Sequence, residues 1–130
     1  GDCRAVLCHA GAPLPLTRDH TLRDEAERAR VLADGGRIDG GRLSGYLEVS
    51  RAIGDIDVAD GEKPPGLSPT PELCSRAIQP ADEFIILGTD GLWDAVATDV
   101  AVKLARAELQ AYSGDAVMAS EKLVEAALKR

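Results

Sequence analysis

Two aspartates carry most of the chemistry in the sequence. They lie in Asp82 to Asp94, DEFIILGTDGLWD, where the unbroken apolar run Phe84 to Leu87 ends at Gly88 and is followed by Thr89-Asp90-Gly91. A strand over the apolar run delivers Asp90 at its C-terminal tip. A helical turn opening at Asp90 then projects Asp94, four residues on, from the same face. Converging carboxylates repel each other unless a cation neutralises them, and a hard divalent ion such as Mg²⁺ or Mn²⁺ prefers carboxylate and water oxygens. Such an ion also lowers the pKa of a bound water and so makes a nucleophile available near neutral pH. The plainer reading of the same residues is a helix cap at Asp90 and a dipole-complementing charge at Asp94, and on residue types alone it is the stronger one. Trp93, the only tryptophan, is expected in the core, and Gly91 is expected to permit a sharp turn.

The elements that must hold these residues follow from periodicity and punctuation. Phe84 to Leu87 reads as a strand buried on both faces. Arg4 to Cys8 (RAVLC) is a second short strand, closed by the turn-prone stretch Gly11 to Pro15. Thr21-Leu22-Arg23-Asp24 matches a capping box with Thr21 as N-cap. Leu22, Ala26, Ala29 and Ala33 then recur at helical spacing up to the stop Gly35-Gly36. From Gly40 to Pro71 the chain is rich in Gly, Pro and Asp. Gly45 to Ala52 is expected to be ordered within it, and Asp57 to Thr70 to be an irregular surface segment. Pro71 to Ile78 is expected as an edge strand. Two helices follow, one capped by Thr98 with Val100, Leu104, Ala107 and Ala111 on a face, the other capped by Asp115 with Ala116, Ala119, Leu123 and Ala127 on a face. Lys129 and Arg130 stand where cations suit the last helix dipole. The order of elements means α/β or α+β, one domain or part of one, and both ends read as cuts.

Composition narrows the function classes. The chain has 130 residues, 22 acidic against 15 basic, a net charge of −7 and 45% apolar residues. That length buries a sizeable core without a disulfide or zinc staple. The acidic balance argues against a nucleic-acid or membrane-surface binder, and no apolar run approaches the roughly 20 residues of a membrane span. Cys3, Cys8 and Cys74 form no C-x-x-C pair, which points to reduced thiols and an intracellular, cytoplasmic or nuclear, protein. With two histidines, His9 and His20, neither a His-rich metal site nor a Ser-His-Asp triad is expected.

The blocks of sequence around these elements resemble one family. Gly1 to Leu7 (GDCRAVL) is similar to the GDSRAVL strand of the metal-dependent protein serine/threonine phosphatases, the protein phosphatase 2C family. Leu16 to His20 resembles its L-T-x-D-H, and Glu27-x-x-Arg30-Val31 with Gly35-Gly36 resembles its E-x-x-R-I helix and glycine pair. Leu47 to Asp55 (LEVSRAIGD) resembles L-A-V-S-R-A-x-G-D, Thr70 to Leu73 resembles the P-E-[VL] strand start, and Asp82 to Asp94 resembles D-E-F-x-I-L-x-[ST]-D-G-L-W-D. The blocks fall in the family's order and cover nearly the whole chain.

The resemblance implies the C-terminal half of a four-layer α-β-β-α sandwich that ends in a helix pair, so residues 1–130 are expected to be a partial catalytic domain. It implies hydrolysis of protein phosphoserine and phosphothreonine by a two-metal centre of Mg²⁺ or Mn²⁺, whose bridging water attacks phosphorus in line. It makes Asp90 a metal ligand and associates Asp94 with a weaker third metal site. The family's early acidic strand, its D-G-H-G-G block and its late D-N motif have no counterpart here. The chain alone is therefore expected to be inactive and inclined to self-associate, while the parent acts on a phosphoprotein substrate. The other readings are a catalytically dead relative kept for protein binding, and a regulatory fragment. Substrate-binding residues are not identified. Arg51 and Asp55 are read as structural, Asp19-His20 as a turn, His9 as exposed, Cys3 as carrying no redox role, and Glu62 and Lys63 as a solvated loop face with substrate-side contact the alternative.

Overall fold

Arg4 to His9 and Asp82 to Gly88 are short runs rich in β-formers, and they pair with each other. In the computed structural model, which describes residues 1–56 and 61–129, the elements run β1 (Arg4–His9), β2 (Ala12–Pro15), α1 (Glu25–Ala33), β3 (Ile38–Asp39), β4 (Arg42–Leu43), β5 (Asp82–Gly88), α2 (Asp90–Trp93), α3 (Thr98–Ala111) and α4 (Ala116–Leu128). They form two units, Gly1–Asp2 with Asp19–Leu73, and Cys3–Arg18 with Cys74–Arg130.

The second unit is a three-stranded antiparallel sheet of order β2-β1-β5 with helices on it. Ala10 (φ 50°) and Gly11 (φ 77°) make the two-residue turn from β1 to β2, a backbone twist that matches the strands. The stretch expected to be only a turn thus contains a strand. Pro13 and Pro15 are tolerated in it because β2 is an edge. Val6 and Cys8 of β1 and Ile86 of β5 pack with Trp93, Val96, Ala101, Val102, Ala105 and Leu123, and Phe84 lies against them. Alternation sends Ile85 and Leu87 to the other face, where they are 55% and 78% exposed. The expectation of a strand buried on both faces fails there, because among the described residues the helix core lies on the Ile86 side and β5 is an edge of the sheet.

Cap chemistry corrects two helix starts. In α4 Asp115 accepts from the amides of Val117 (2.8 Å) and Met118 (3.3 Å), as expected. In α3 the N-cap is Ala97, and Thr98 is the first helical residue, its Oγ1 accepting from Arg4 at 3.3 Å. The buried face of α3 is Ala101, Val102 and Ala105 with Leu104 beside it, not the face of Val100, which is 48% exposed. α4 buries Ala119 and Leu123, with Ala127 packed against the same core. It closes at Lys129, and Arg130 lies outside the described residues.

In the first unit Asp24, not Thr21, caps α1. Its carboxylate takes the amides of Ala26 (2.9 Å) and Glu27 (3.0 Å), while Thr21 bridges Val49. Gly36 ends the helix against Val31, where a Cβ would fall 2.6 Å from a Val31 methyl and 2.8 Å from the Pro65 carbonyl. A small hairpin, β3 and β4, not foreseen from the sequence, turns on Gly40 and Gly41 at φ 56° and 79°, a dipeptide that suits such a turn. Leu22, Val31, Leu43 and Leu67 form the core of this unit. Gly45 to Ala52 is ordered through bridges of Leu47 to Leu43, Val49 to Thr21 and Arg51 to Ser68. The segment is irregular as expected over residues 61–67, but it is not all surface, since Pro64 and Leu67 are buried and Leu67 belongs to the core, and its residues 57–60 lie outside the described ones. Pro71 to Ile78 is not a strand. Leu73 and Ile78 are 89% and 91% exposed, and among the described residues no strand pairs with the segment.

The inward face of α1 carries charge, not the expected alanines. Ala26, Ala29 and Ala33 are exposed, whereas Glu27 is buried beside Val31. Glu27 accepts from Ser50 Oγ at 2.6 Å, from Arg51 Nε at 3.0 Å and its terminal nitrogen, and from Arg30 at 3.1 Å. The same guanidinium groups hold carbonyls of Ser50 (2.9 Å), Gly66 (3.0 Å) and Thr70 (3.2 Å). The Arg51 guanidinium above all, with Ser50 and Arg30, holds the Glu27 carboxyl well below the usual carboxylate range against the opposing effect of burial. A depressed folded pKa stabilises the fold above the unfolded pKa of about 4.3, and that stabilisation drains as pH falls below it. Glu27→Gln is expected to cost about 2–3 kcal/mol near neutrality, less than a fully buried pair because both arginines keep some water. Denaturant unfolding between pH 7 and 3 should show this gap narrowing with acid. A gap independent of pH would contradict the assignment.

Candidate metal centre

The tip of β5 is shaped by a glycine and a tryptophan. At Gly88 a Cβ would fall 2.8 Å from Leu92 Cδ2 and 2.9 Å from Trp93 Nε1, so no larger residue fits without displacing them. Gly91, expected to be the demanding position, has only Thr89 Oγ1 at 3.6 Å from such a Cβ and no unusual φ. Trp93 is 7% exposed, and its indole N–H donates to the Gly88 carbonyl at 2.9 Å.

Thr89 is the N-cap residue of α2 and makes no side-chain cap bond. Asp90 opens the helix with one carboxylate oxygen accepting from the Gly91 amide at 2.8 Å. The backbone amide of Asp94 donates to the Asp90 carbonyl at 2.8 Å, so the two aspartates stand one turn apart. Both are exposed. Asp90 thus sits where a helix cap would, but it is not the N-cap residue.

Oxygen-only donors on a fixed turn suit a hard divalent ion in kind. They do not make a complete set. Among the described residues no three of His, Cys, Asp and Glu come together as a metal-holding group. The two aspartates fit such an ion as a partial set of ligands.

Most of the other residues singled out have structural partners. Arg51 is bound to Glu27, as read, and Asp55 is exposed at φ 51°. His20 is buried with Nε2 2.7 Å from Glu72 Oε2, and its backbone ties Gly1 and Ser50. His9 is half-buried, not exposed, because Nδ1 lies 2.7 Å from Asp82 Oδ1. The Gln79 amide and then His9 hold Asp82 below the ordinary carboxylate range. Lys63 donates to the Ala52 carbonyl at 2.8 Å, while Glu62 is exposed. Cys3 and Cys74 are exposed free thiols, and burial pushes the Cys8 thiol up. Sequence reasoning missed Arg4, whose guanidinium lies 5.5 Å from the Trp93 ring centroid. Among the described residues no helix is long and apolar enough to cross a membrane.

Known proteins give this geometry its context. The chain is 43% identical to "Probable protein phosphatase 2C 22" of Arabidopsis thaliana, covering 100% of this chain and 34% of that protein. It is 42% identical to "Probable protein phosphatase 2C 57" of Oryza sativa subsp. japonica, covering 100% of this chain and 36% of the relative. The chain therefore spans about a third of the length of these curated relatives. Among solved structures, a phosphatase from Toxoplasma gondii superposes with a TM-score of 0.79 at 26% identity, over 99% of this chain and 41% of the other. A C. elegans sex determining protein gives 0.75 at 29% identity, over 97% and 32%. These neighbours bear out the expected mixing of helix and strand as the α/β fold of the family. The model of the family described as "Protein phosphatase 2C" matches residues 1–130, and the chain belongs to that family.

Proposed function

We propose that this chain is part of a metal-dependent protein phosphatase that hydrolyses phosphoserine and phosphothreonine, and that Asp90 and Asp94 are its contribution to the metal centre. The observation that carries this reading is the exposed pair of carboxylates one turn apart at the tip of β5, in a chain of this family. Bound Mg²⁺ or Mn²⁺, two ions in the intact site, supplies charge stabilisation at the phosphoryl oxygens and activation of water. The chain's own residues do the positioning. β5 carries Asp90 to the tip, the Gly91 amide orients one of its oxygens, and the single turn of α2 sets its spacing from Asp94. The remaining ligands belong to parts of the domain outside these residues.

In the intact domain, Asp90→Ala is expected to weaken manganese binding at least tenfold by calorimetry, as loss of one of few anionic ligands to a hard ion would require, and to lower turnover in step. Unchanged binding and turnover would refute the ligand assignment and favour a cap role.

Two carboxylates hold such ions weakly unless other ligands are fixed beside them. The 130-residue chain alone is thus expected to give no turnover of p-nitrophenyl phosphate above background at millimolar manganese, and robust turnover would overturn the reading of an incomplete site.

Ile85 and Leu87 on the open edge strand offer both apolar surface and unpaired backbone groups, which favours self-association of the isolated chain. Size-exclusion chromatography should show concentration-dependent association that Leu87→Lys reduces; a monomer at every concentration would dispose of it.

A further inference from the structure

α2 is only four residues long, too short to hold its form through its own hydrogen bonds. Asp90 is its first residue and Asp94 its C-cap. Where the two carboxylates stand is therefore decided by whatever fixes this turn. Trp93 fixes it from within, through the bond from its indole N–H to the Gly88 carbonyl and through a fit so close that a Cβ at position 88 would fall 2.9 Å from Trp93 Nε1 and displace the ring.

Arg4 fixes Trp93 in turn. Arg4 is the direct cross-strand partner of Gly88 in the β1–β5 register, so its Cα is placed beside the strand tip by the sheet itself. Its guanidinium carbon lies 5.5 Å from the Trp93 ring centroid, and one of its nitrogens donates to Thr98 Oγ1 at 3.3 Å. The ring is thus held by β5 through Gly88 and by β1 through Arg4, and the same arginine reaches the first residue of α3. An apolar residue at position 4 would fill space there. A half-buried cation adds direction, because it is attracted to the face of the ring and not to its edge.

We infer that Arg4, acting through Trp93, is the positioning residue for the Asp90–Asp94 pair. This rests on the proposed metal centre, and the test separates the two. In the intact domain, manganese affinity is measured by calorimetry well below the melting temperature of each variant, where all are fully folded. The variants are Arg4→Gln, Arg4→Lys and Asp90→Ala. Arg4→Gln is expected to weaken manganese binding about tenfold, the scale of losing a group that orients a ligand, and Arg4→Lys to recover most of the loss because a cation remains over the ring. If Asp90→Ala weakens binding and Arg4→Gln leaves it unchanged, the inference is wrong and the metal centre stands. Equal losses in Arg4→Gln and Arg4→Lys would also overturn it, since packing and not charge would then be at work. If Asp90→Ala itself binds like the wild type, the metal centre fails and the inference with it.

Discussion

The antiparallel pairing of β1 with β5 is the interaction on which the second unit depends. It joins residues far apart in the chain, as the ring of His9 and the carboxylate of Asp82, 73 positions on, make plain. Closing so long a loop costs chain entropy, which short strands must recover through buried side chains as well as ladder bonds. Val6, Cys8 and Ile86 supply that burial by packing on Trp93, Val102 and Leu123. The same register sets Arg4 opposite Gly88 and thereby brings a cation to the tryptophan that shapes the Asp90 turn. Core packing and the geometry of the candidate metal centre are in this sense one arrangement.

The first unit is organised differently, around a charge. Glu27 is buried among Ser50, Arg51 and Arg30, and the arginines extend the network to the carbonyls of Ser50, Gly66 and Thr70. Desolvating a carboxylate is costly, and only a saturated set of donors offsets it. The network does what a larger apolar core would do elsewhere, tying glycine- and proline-rich loops to a short helix. Apolar periodicity misjudged α1 for this reason: the alanines give the helix its propensity, while the glutamate and arginine decide which face turns inward.

Similar logic explains the other departures. Thr21 and Thr98 both read as caps, yet Asp24 caps α1 because its carboxylate reaches two amides, and Thr98 is drawn into α3 where its hydroxyl receives Arg4. Ile85 and Leu87 read as buried because a run of apolar residues carries no information about whether a second layer covers the sheet. The exposure of Leu73 and Ile78 has the same cause, since strand propensity is realised only beside another strand.

What the sequence determined by itself is local and chemical. The Asp115 cap, the Gly35-Gly36 stop and the DGLWD block could be read directly because each depends on neighbours within a turn or two of the chain, and the strands Arg4 to Cys8 and Phe84 to Leu87 could be read from their β-forming residues although their pairing is long-range. Family membership was legible as well, in the order of its motifs. Tertiary structure alone decided which face of α1 is buried, which glycine at the β5 tip is sterically required, and that Arg4 stacks on Trp93. Those features depend on contacts between residues distant in sequence, whose energies arise from desolvation and close approach and have no period for a one-dimensional reading to detect.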